Sequence, residues 1–230
     1  MTAESGAEPN VVALVAAHNE EGRIGSTVKA LRAVDDIDHV VVVADGSTDR
    51  TPEEASAAGA TVLTAPRRMG KGGALDAALT RIPRARFYLF VDGDMADTAV
   101  EAMKLLHPVV TGRLDLAVGR LPAQAGGGFG LVKRMARWVV GLTGFHPREP
   151  LSGQRAVTRD SLAAARPLAS GFGTEVAMTM DLARLGFRIG EVPVEMTHRP
   201  TGRRLRGFVH RGRQGLDILR AALPRLMGLR

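Results

Sequence analysis

The run Phe87-Tyr88-Leu89-Phe90-Val91 stops abruptly at Asp92-Gly93-Asp94, and no other stretch limits the fold as tightly. Five consecutive apolar residues without polar alternation predict a strand buried on both faces, as in a parallel sheet covered by helices. In such open sheets the ligand crevice lies outside the carboxyl ends of the strands. Residues two apart along a strand point the same way, so Asp92 and Asp94 face a common ligand. Two hard carboxylates suit Mg²⁺ or Mn²⁺, completed by waters and substrate phosphates. The alternative is a solvated turn that closes the strand. An EF-hand is excluded, because Ala96 stands where the third ligand belongs and Asp97 where the loop needs glycine.

The rest of the chain repeats this strand-then-loop pattern. Val11 to Ala17 is a buried strand followed by His18-Asn19-Glu20-Glu21, and Glu21 to Ala33 carries a helical stripe of Ile24, Val28 and Leu31. Val40 to Ala44 is a second strand, ending in Asp45-Gly46-Ser47-Thr48-Asp49. A helix opens at Thr51-Pro52 and closes at Gly59, with acids in its first turn. Thr61 to Thr64 leads into Arg67-Arg68-Met69-Gly70-Lys71-Gly72-Gly73, and Ala74 to Arg81 is helical. Strand and helix in alternation predict an α/β domain with a mostly parallel central sheet. Later elements are a helix over Thr98–Val110, a strand over Asp115–Val118 ending at Gly119-Arg120, and a mobile loop over Pro122–Gly130. An amphipathic helix over Val132–Leu142, a helix after Leu151-Ser-Gly-Gln-Arg155, another from Gly171 through Glu175, and a strand over Phe187–Val194 complete the domain.

Composition narrows the function classes. At 230 residues and 45% hydrophobic the chain builds one full core. With no cysteine it has no disulfide framework, thiolate metal site or cysteine nucleophile. No apolar run approaches the roughly 18 residues of a membrane span, and the acidic start precludes a signal peptide, so a cytoplasmic location is expected. Residues 199–230 hold nine Arg against Asp217 alone, which leaves the first 198 residues at −1 of the +7 total. Such a tail seeks an anionic partner. Seven Phe, one Tyr and one Trp supply few stacking platforms, so no nucleic-acid partner is expected, and a nucleic-acid-binding protein using the Arg-rich tail is the alternative of another class. Leu216, Leu219, Leu223, Leu226 and Met227 recur at helical spacing beside Arg220 and Arg225. This suits either packing on the domain or an anionic membrane surface on the inner face of the cell membrane.

Three loops carry candidate chemistry. Asp45 ends a strand as Asp92 does, and it either accepts from a nucleobase imide or ribose hydroxyl, or caps the helix beginning near Arg50. Gly70-Lys71-Gly72-Gly73 at a helix start has the makings of a phosphate nest, with Lys71 as its cation. It is not a Walker loop, since Ala65 occupies the first glycine position and Gly72 that of Ser or Thr. From Arg120 to Arg155 the chain carries Arg120, Arg134, Arg137, Arg148 and Arg155 against one acid, Glu149, which suits binding an anion. Glu175 is the base candidate should an acceptor attack through a hydroxyl.

Taken in order, His18-Asn-Glu20, Asp45-Gly-Ser-Thr-Asp49, Gly70-Lys-Gly72, Asp92-Gly-Asp94, Gly119-Arg120, Ser152-Gly-Gln-Arg155 and His198-Arg199-Pro-Thr-Gly202-Arg203 resemble the family 2 glycosyltransferases. The likeness is strongest to the branch of dolichol- and polyprenyl-phosphate mannose or glucose synthases. It implies a single GT-A (Rossmann-like) domain over residues 11–204, a disordered N-terminus over 1–10 and a basic amphipathic C-terminal helix over 205–230. It further implies a metal-dependent, inverting hexosyltransferase using a GDP- or UDP-hexose, with polyprenyl phosphate as acceptor. A soluble enzyme acting on 3-phosphoglycerate is the alternative. By position, His18, Glu20, Asp45, Lys71, Asp92, Arg199 and Arg203 would bind the nucleotide sugar, and Asp92 and Asp94 the Mg²⁺ or Mn²⁺. Arg120, Arg134 (or its neighbour Lys133), Ser152 and Arg155 would take the acceptor phosphate, and Asp94, Asp92 and Arg120 the catalytic roles. Departures from the family pattern are His18 for an aromatic, Ala44 for an aspartate, Ala96 for a polar residue, and Gln154 for the Phe of Ser-Gly-Phe-Arg.

Overall fold

Seven strands form one sheet in the order β3-β2-β1-β4-β6-β5-β7, as seen in a computed structural model that describes residues 8–122, 130–197 and 206–228. The strands are β1 (Val11–Ala17), β2 (His39–Asp45), β3 (Thr61–Ala65), β4 (Phe87–Asp92), β5 (Leu116–Arg120), β6 (Arg155–Thr158) and β7 (Ile189–Pro193). All run parallel except β6, which lies antiparallel between β4 and β5. Eight helices flank them among the described residues: α1 (Ile24–Arg32), α2 (Thr51–Ala57), α3 (Lys71–Leu79), α4 (Met103–Val110), α5 (Gly130–Gly141), α6 (Arg159–Ala165), α7 (Thr174–Arg184) and α8 (Arg206–Leu226).

The apolar runs explain the layering. In β1 and β4 alternate residues feed opposite faces of the sheet. Val11, Ala13, Val15, Leu89 and Val91 pack under α1 and α4 with Ile24, Leu31 and Leu105. Val12, Leu14, Tyr88 and Phe90 pack on the other face with Leu75 of α3, Leu162 of α6 and Met178 of α7. Each fully buried Leu or Val contributes about 1.5–3 kcal/mol, so the centre of the sheet is the most firmly held part of the molecule. A third cluster joins α5, α7 and α8 through Val139, Val140, Val176, Met180, Ile218 and Ala222.

Two expectations about elements change. The stretch Thr98–Val110 is a 3₁₀ turn over Ala96–Ala102 that becomes helical only at Met103. The 151–155 segment enters a strand, β6, before its helix: Arg155 pairs with Phe90 and Val118 at the sheet's functional edge. At Thr158 the side chain accepts from the Ser161 amide and starts α6. The helix α8 packs on the domain, burying Ile218, Ala221, Ala222 and Arg225 while Leu216, Leu219, Leu223 and Met227 face solvent. The expected loop over 122–130 and the expected boundary at 204 fall largely or wholly outside the described residues, as do residues 1–7 of the N-terminus.

Candidate functional site

The strand order reverses between β1 and β4, and this is the point where an open α/β sheet forms its crevice. Asp92 ends β4 opposite Ala16 of β1. The turn after it is pinned on three sides. Gly93 N–H donates to the Ala16 carbonyl at 2.9 Å, Thr27 Oγ1 donates to the Gly93 carbonyl at 2.9 Å, and Arg23 Nη1 donates to the Asp94 carbonyl at 2.8 Å. Thr27 Oγ1 in turn accepts from Ala96 N–H at 2.8 Å, and Ala96 sits at φ 48°, a conformation that non-glycine residues adopt only when held. Gly93 lies so close to β1 that an added Cβ would stand 3.1 Å from Ala17 Cβ and 3.3 Å from Glu20 Cγ. Glu20 therefore lies against the aspartate turn. Arg23 and Thr27, which fix the turn from α1, had no signal in the sequence beyond their place on a helix.

The loop after β2 is stitched to the loop after β1. His18 Nδ1 donates to the Asp45 carbonyl at 2.8 Å, and Asn19 Oδ1 accepts from Thr48 N–H at 2.9 Å. Asp45 does not cap the helix near Arg50, one of the two roles the sequence offered. Its carboxylate is buried and accepts from Met69 N–H at 2.6 Å and Gly70 N–H at 2.8 Å. The helix α2 takes its support from Asp49, which accepts from Thr51 N–H and Oγ1. Amides at the lip of the expected phosphate nest are thus occupied by an anion the chain provides. Gly46, at φ 63°, makes this approach feasible, since a Cβ there would stand 2.7 Å from Arg68 N.

Lys71 likewise turns inward to carboxylates. Its Nζ lies 2.6 Å from Asp92 Oδ1 and 2.9 Å from Glu175 Oε1 at the start of α7. Burial alone would lower the lysine pKa, but Asp92 and Glu175 outweigh it and hold the ammonium above its ordinary value. The other oxygen of Asp92 accepts from Gln154 Nε2 at 2.7 Å, and Gln154 Oε1 accepts from Asp92 N–H at 3.2 Å. Gly153 leaves room for these contacts: a Cβ would fall 2.3 Å from Lys71 Nζ and 2.6 Å from Asp92 Oδ2. Behind them Arg155 is buried, giving Nε to the Ser152 carbonyl and Nη1 to Thr179 Oγ1. Burial lowers its pKa to about 10 against the pull of Glu175, Glu191 and Asp92. Two cations and two carboxylates thus form a compact, formally neutral cluster at the end of β4.

The acceptor-side assignments divide. Arg120 ends β5 at the same edge as Asp92 and is part-exposed, and Arg134 is exposed on α5. The neighbouring Lys133 is paired with Glu149 at 2.5 Å, so Arg134 is the better placed of the two for an incoming anion. Ser152 and Arg155 are buried, their polar groups engaged within the turn itself. Arg199 and Arg203 lie outside the described residues. For a divalent cation, Asp92 and Asp94 are the part-exposed carboxylates of this pinned turn, and the oxygens of Asp92 also accept from Lys71 and Gln154. Among the described residues no three His, Cys, Asp or Glu side chains converge as a metal cluster.

Comparison with known proteins gives this geometry a setting. The family model described as glycosyl transferase family 2 matches residues 12–163. Glycosyltransferase AglJ of Haloferax volcanii is 30% identical over 197 residues, covering 84% of this chain and 64% of that protein. Glucosyl-3-phosphoglycerate synthase of Mycolicibacterium paratuberculosis is 33% identical over 196 residues, covering 73% of this chain and 58% of that protein. The chain thus spans about three-fifths of the length of these curated relatives. The crystal structure of glucosyl-3-phosphoglycerate synthase from Mycobacterium tuberculosis with Mg²⁺ and uridine diphosphate superposes with a TM-score of 0.80 at 27% identity, covering 94% of this chain and 79% of that one. The same synthase with Mn²⁺, uridine diphosphate and phosphoglyceric acid gives 0.77 at 26%, covering 94% and 78%.

Proposed function

Because the chain belongs to glycosyl transferase family 2, we propose that it moves a hexose from a nucleotide-diphosphate sugar to a small phosphorylated acceptor. The observation that carries this reading is the convergence at the sheet's switch point. His18, Glu20, Asp45, Asp92 and Asp94 stand at or just past the carboxyl ends of the adjacent strands β2, β1 and β4, and Arg120 ends β5, parallel to them beyond β6. Relatives named as glucosyl-3-phosphoglycerate synthases, and their structures with UDP and phosphoglyceric acid, support the small-acceptor choice over the polyprenyl phosphate that the motifs first suggested.

In this reading His18 and Glu20 border the nucleoside, and Asp45 holds the 67–70 loop that closes the crevice. Asp94 would hold Mg²⁺ or Mn²⁺, which supplies positive charge opposite the diphosphate leaving group. Arg120 and Arg134 attract the acceptor's phosphate, a role that a planar guanidinium performs with two parallel hydrogen bonds. Glu175, fixed by Lys71, is the carboxylate available to take a proton from an attacking hydroxyl.

The test is a screen of nucleoside-diphosphate release from UDP- and GDP-hexoses with Mg²⁺ or Mn²⁺, with 3-phosphoglycerate and polyprenyl phosphate offered in parallel. Asp94→Asn should abolish turnover with the fold intact, and Arg120→Ala should raise the acceptor KM about tenfold. Metal-dependent turnover unchanged in Asp94→Asn would overturn the reading. One observation favours a lipid-borne acceptor as the second choice. Leu216, Leu219, Leu223 and Met227 form an exposed apolar row on α8 beside the exposed Arg220, as an interfacial helix requires. Among the described residues no helix is long and apolar enough to cross a membrane. Flotation with anionic liposomes at low salt would decide for or against this second choice.

A further inference from the structure

We propose that Glu191 is the positioning residue of the acceptor side, and that the loop it holds presents Arg148 as a further binding residue for the acceptor's phosphate. The inference rests on the reading above only for what the acceptor is. The arrangement of the loop follows from contacts among the chain's own residues.

Glu191 stands on β7 opposite Val118 of β5. Paired residues of neighbouring strands share a face, as do residues two apart along one strand, so Arg120 lies on the face that Glu191 occupies, about 7 Å nearer the carboxyl ends. One carboxylate oxygen of Glu191 accepts from two consecutive amides of the loop that joins α5 to β6, Arg148 N–H at 2.7 Å and Glu149 N–H at 2.6 Å. The Arg148 carbonyl accepts from Nε and Nη2 of Arg137 at 3.0 and 2.6 Å. Arg155 reaches back to the carbonyls of Pro150 and Ser152, and Pro147 and Pro150 are buried on either side. Charged side chains from β7, α5 and β6 thus fix a connection that surface loops ordinarily leave to water.

Fixing the loop settles which of its charges are spent. Glu149 is paired with Lys133 at 2.5 Å, and Arg137 is engaged with the Arg148 carbonyl. The charge of Glu191 is answered by Arg155, whose pKa burial lowers and Glu191 helps to raise. Arg148 remains: the residue is exposed while its N–H and carbonyl are both held. Among the described residues Arg148, Arg120 and Arg134 have no carboxylate within ion-pair distance. A phosphate monoester carries close to two negative charges at neutral pH, and guanidiniums meet it through paired hydrogen bonds. Because the backbone of Arg148 is tied on both sides, only its side chain has to be ordered when the anion arrives.

Calorimetry on the intact, nucleotide-free protein tests this with 3-phosphoglycerate, glycerate and farnesyl phosphate. Arg148→Ala should weaken 3-phosphoglycerate about tenfold, shrink its advantage over glycerate by the same factor, and leave UDP–Mn²⁺ binding within about twofold. Glu191→Ala should lose as much, and Glu191→Gln, which keeps the single oxygen that both amides use, should recover most of the loss. The double variant Arg148→Ala with Glu191→Ala should be no worse than either alone, since the two act in series. Unchanged affinity in Arg148→Ala overturns the proposal, as does a wild type that binds neither phosphorylated probe. Additive losses in the double variant overturn the role given to Glu191. Should Glu191→Ala not fold, Arg148→Ala and Glu191→Gln still decide. Farnesyl phosphate bound in place of 3-phosphoglycerate, with the same loss in Arg148→Ala, supports the site and assigns its phosphate to a lipid. A wild type that binds a phosphorylated probe through Arg148 yet releases no nucleoside diphosphate from any hexose donor removes the glycosyl-transfer reading and leaves the site.

Discussion

Helix α7 carries two buried carboxylates, Glu175 in its first turn and Asp181 further along, and they are partnered in contrasting ways. Asp181 meets Arg225 of α8 through both oxygens, Nε and Nη2 each at 2.7 Å, while Nη1 of the same arginine donates to the Ala221 carbonyl. A rigid fork in that setting has one geometry. Glu175 instead shares an ammonium with Asp92, and an ammonium is a point charge whose three hydrogens rotate. The first arrangement fastens one helix to another. The second holds its members together while letting either carboxylate accept a further hydrogen from a ligand. Two ion pairs of similar burial on one helix thus differ in how tightly the cation's shape fixes their geometry.

Breaking the fastened pair should give the largest effect. Arg225→Ala strands Asp181 and should lower stability by about 3–5 kcal/mol, seen as a reduced urea midpoint, with turnover per folded molecule close to the wild type. Replacing both partners, as Asp181→Leu with Arg225→Met, should recover most of that loss. A double variant as unstable as the single one would move the cause elsewhere. At the other end of α7, Lys71→Met should cost about 10²–10³-fold in turnover and lower the urea midpoint less than Arg225→Ala does. Normal turnover would reduce the cluster to packing.

Gly153→Ala sharpens the contrast, because the new Cβ must push Lys71 and Asp92 apart. An overpacking cost of about 1–3 kcal/mol is expected, with slower turnover but unchanged hydrogen exchange along α8. The smallest effect belongs to a surface counterpart. Side-chain hydrogen bonds from Arg188 hold the Asp115 carboxyl below its ordinary pKa, against the opposing pull of burial. A lowered folded value means that the contribution is present above the unfolded pKa of about 3.9 and is lost as pH falls through the folded one. Asp115→Asn should thus cost about 0.5–1 kcal/mol at neutral pH, since Arg188 is largely exposed, and nothing in strong acid. Paired urea titrations at the two pH values would check it.

The sheet was legible wherever burial leaves a run of its own. The strands Val11–Ala17, His39–Asp45 and Phe87–Asp92 each hold a continuous apolar run, and they fall close to where those runs put them. The strand β6 was not, because four residues beginning with a buried arginine carry no period. For the site, positions were readable and partners were not. A strand-end aspartate announces itself, yet whether Asp45 meets a base, a helix or its own chain's amides depends on how near the 67–70 loop comes in space. Spacing does not encode that. Gln154 was visible only as an unexpected residue, since its meaning lies in contacts made far along the chain.

The antiparallel strand has a consequence for what can be separated. Asp92 is held by Lys71, 21 residues before it, and by Gln154, 62 residues after it. The first partner belongs to the β1–β4 half of the sheet and the second reaches it only because β6 runs backwards into the same edge. A transplanted β1–β4 half would therefore carry Asp92 and Lys71 but not Gln154, and its central aspartate would lose one of its two side-chain partners. The binding half of this enzyme is not a cassette. Recombination that exchanges segments after β4 must bring a residue for position 154 along with them, because Gln154 meets both the amide and the carboxylate of Asp92.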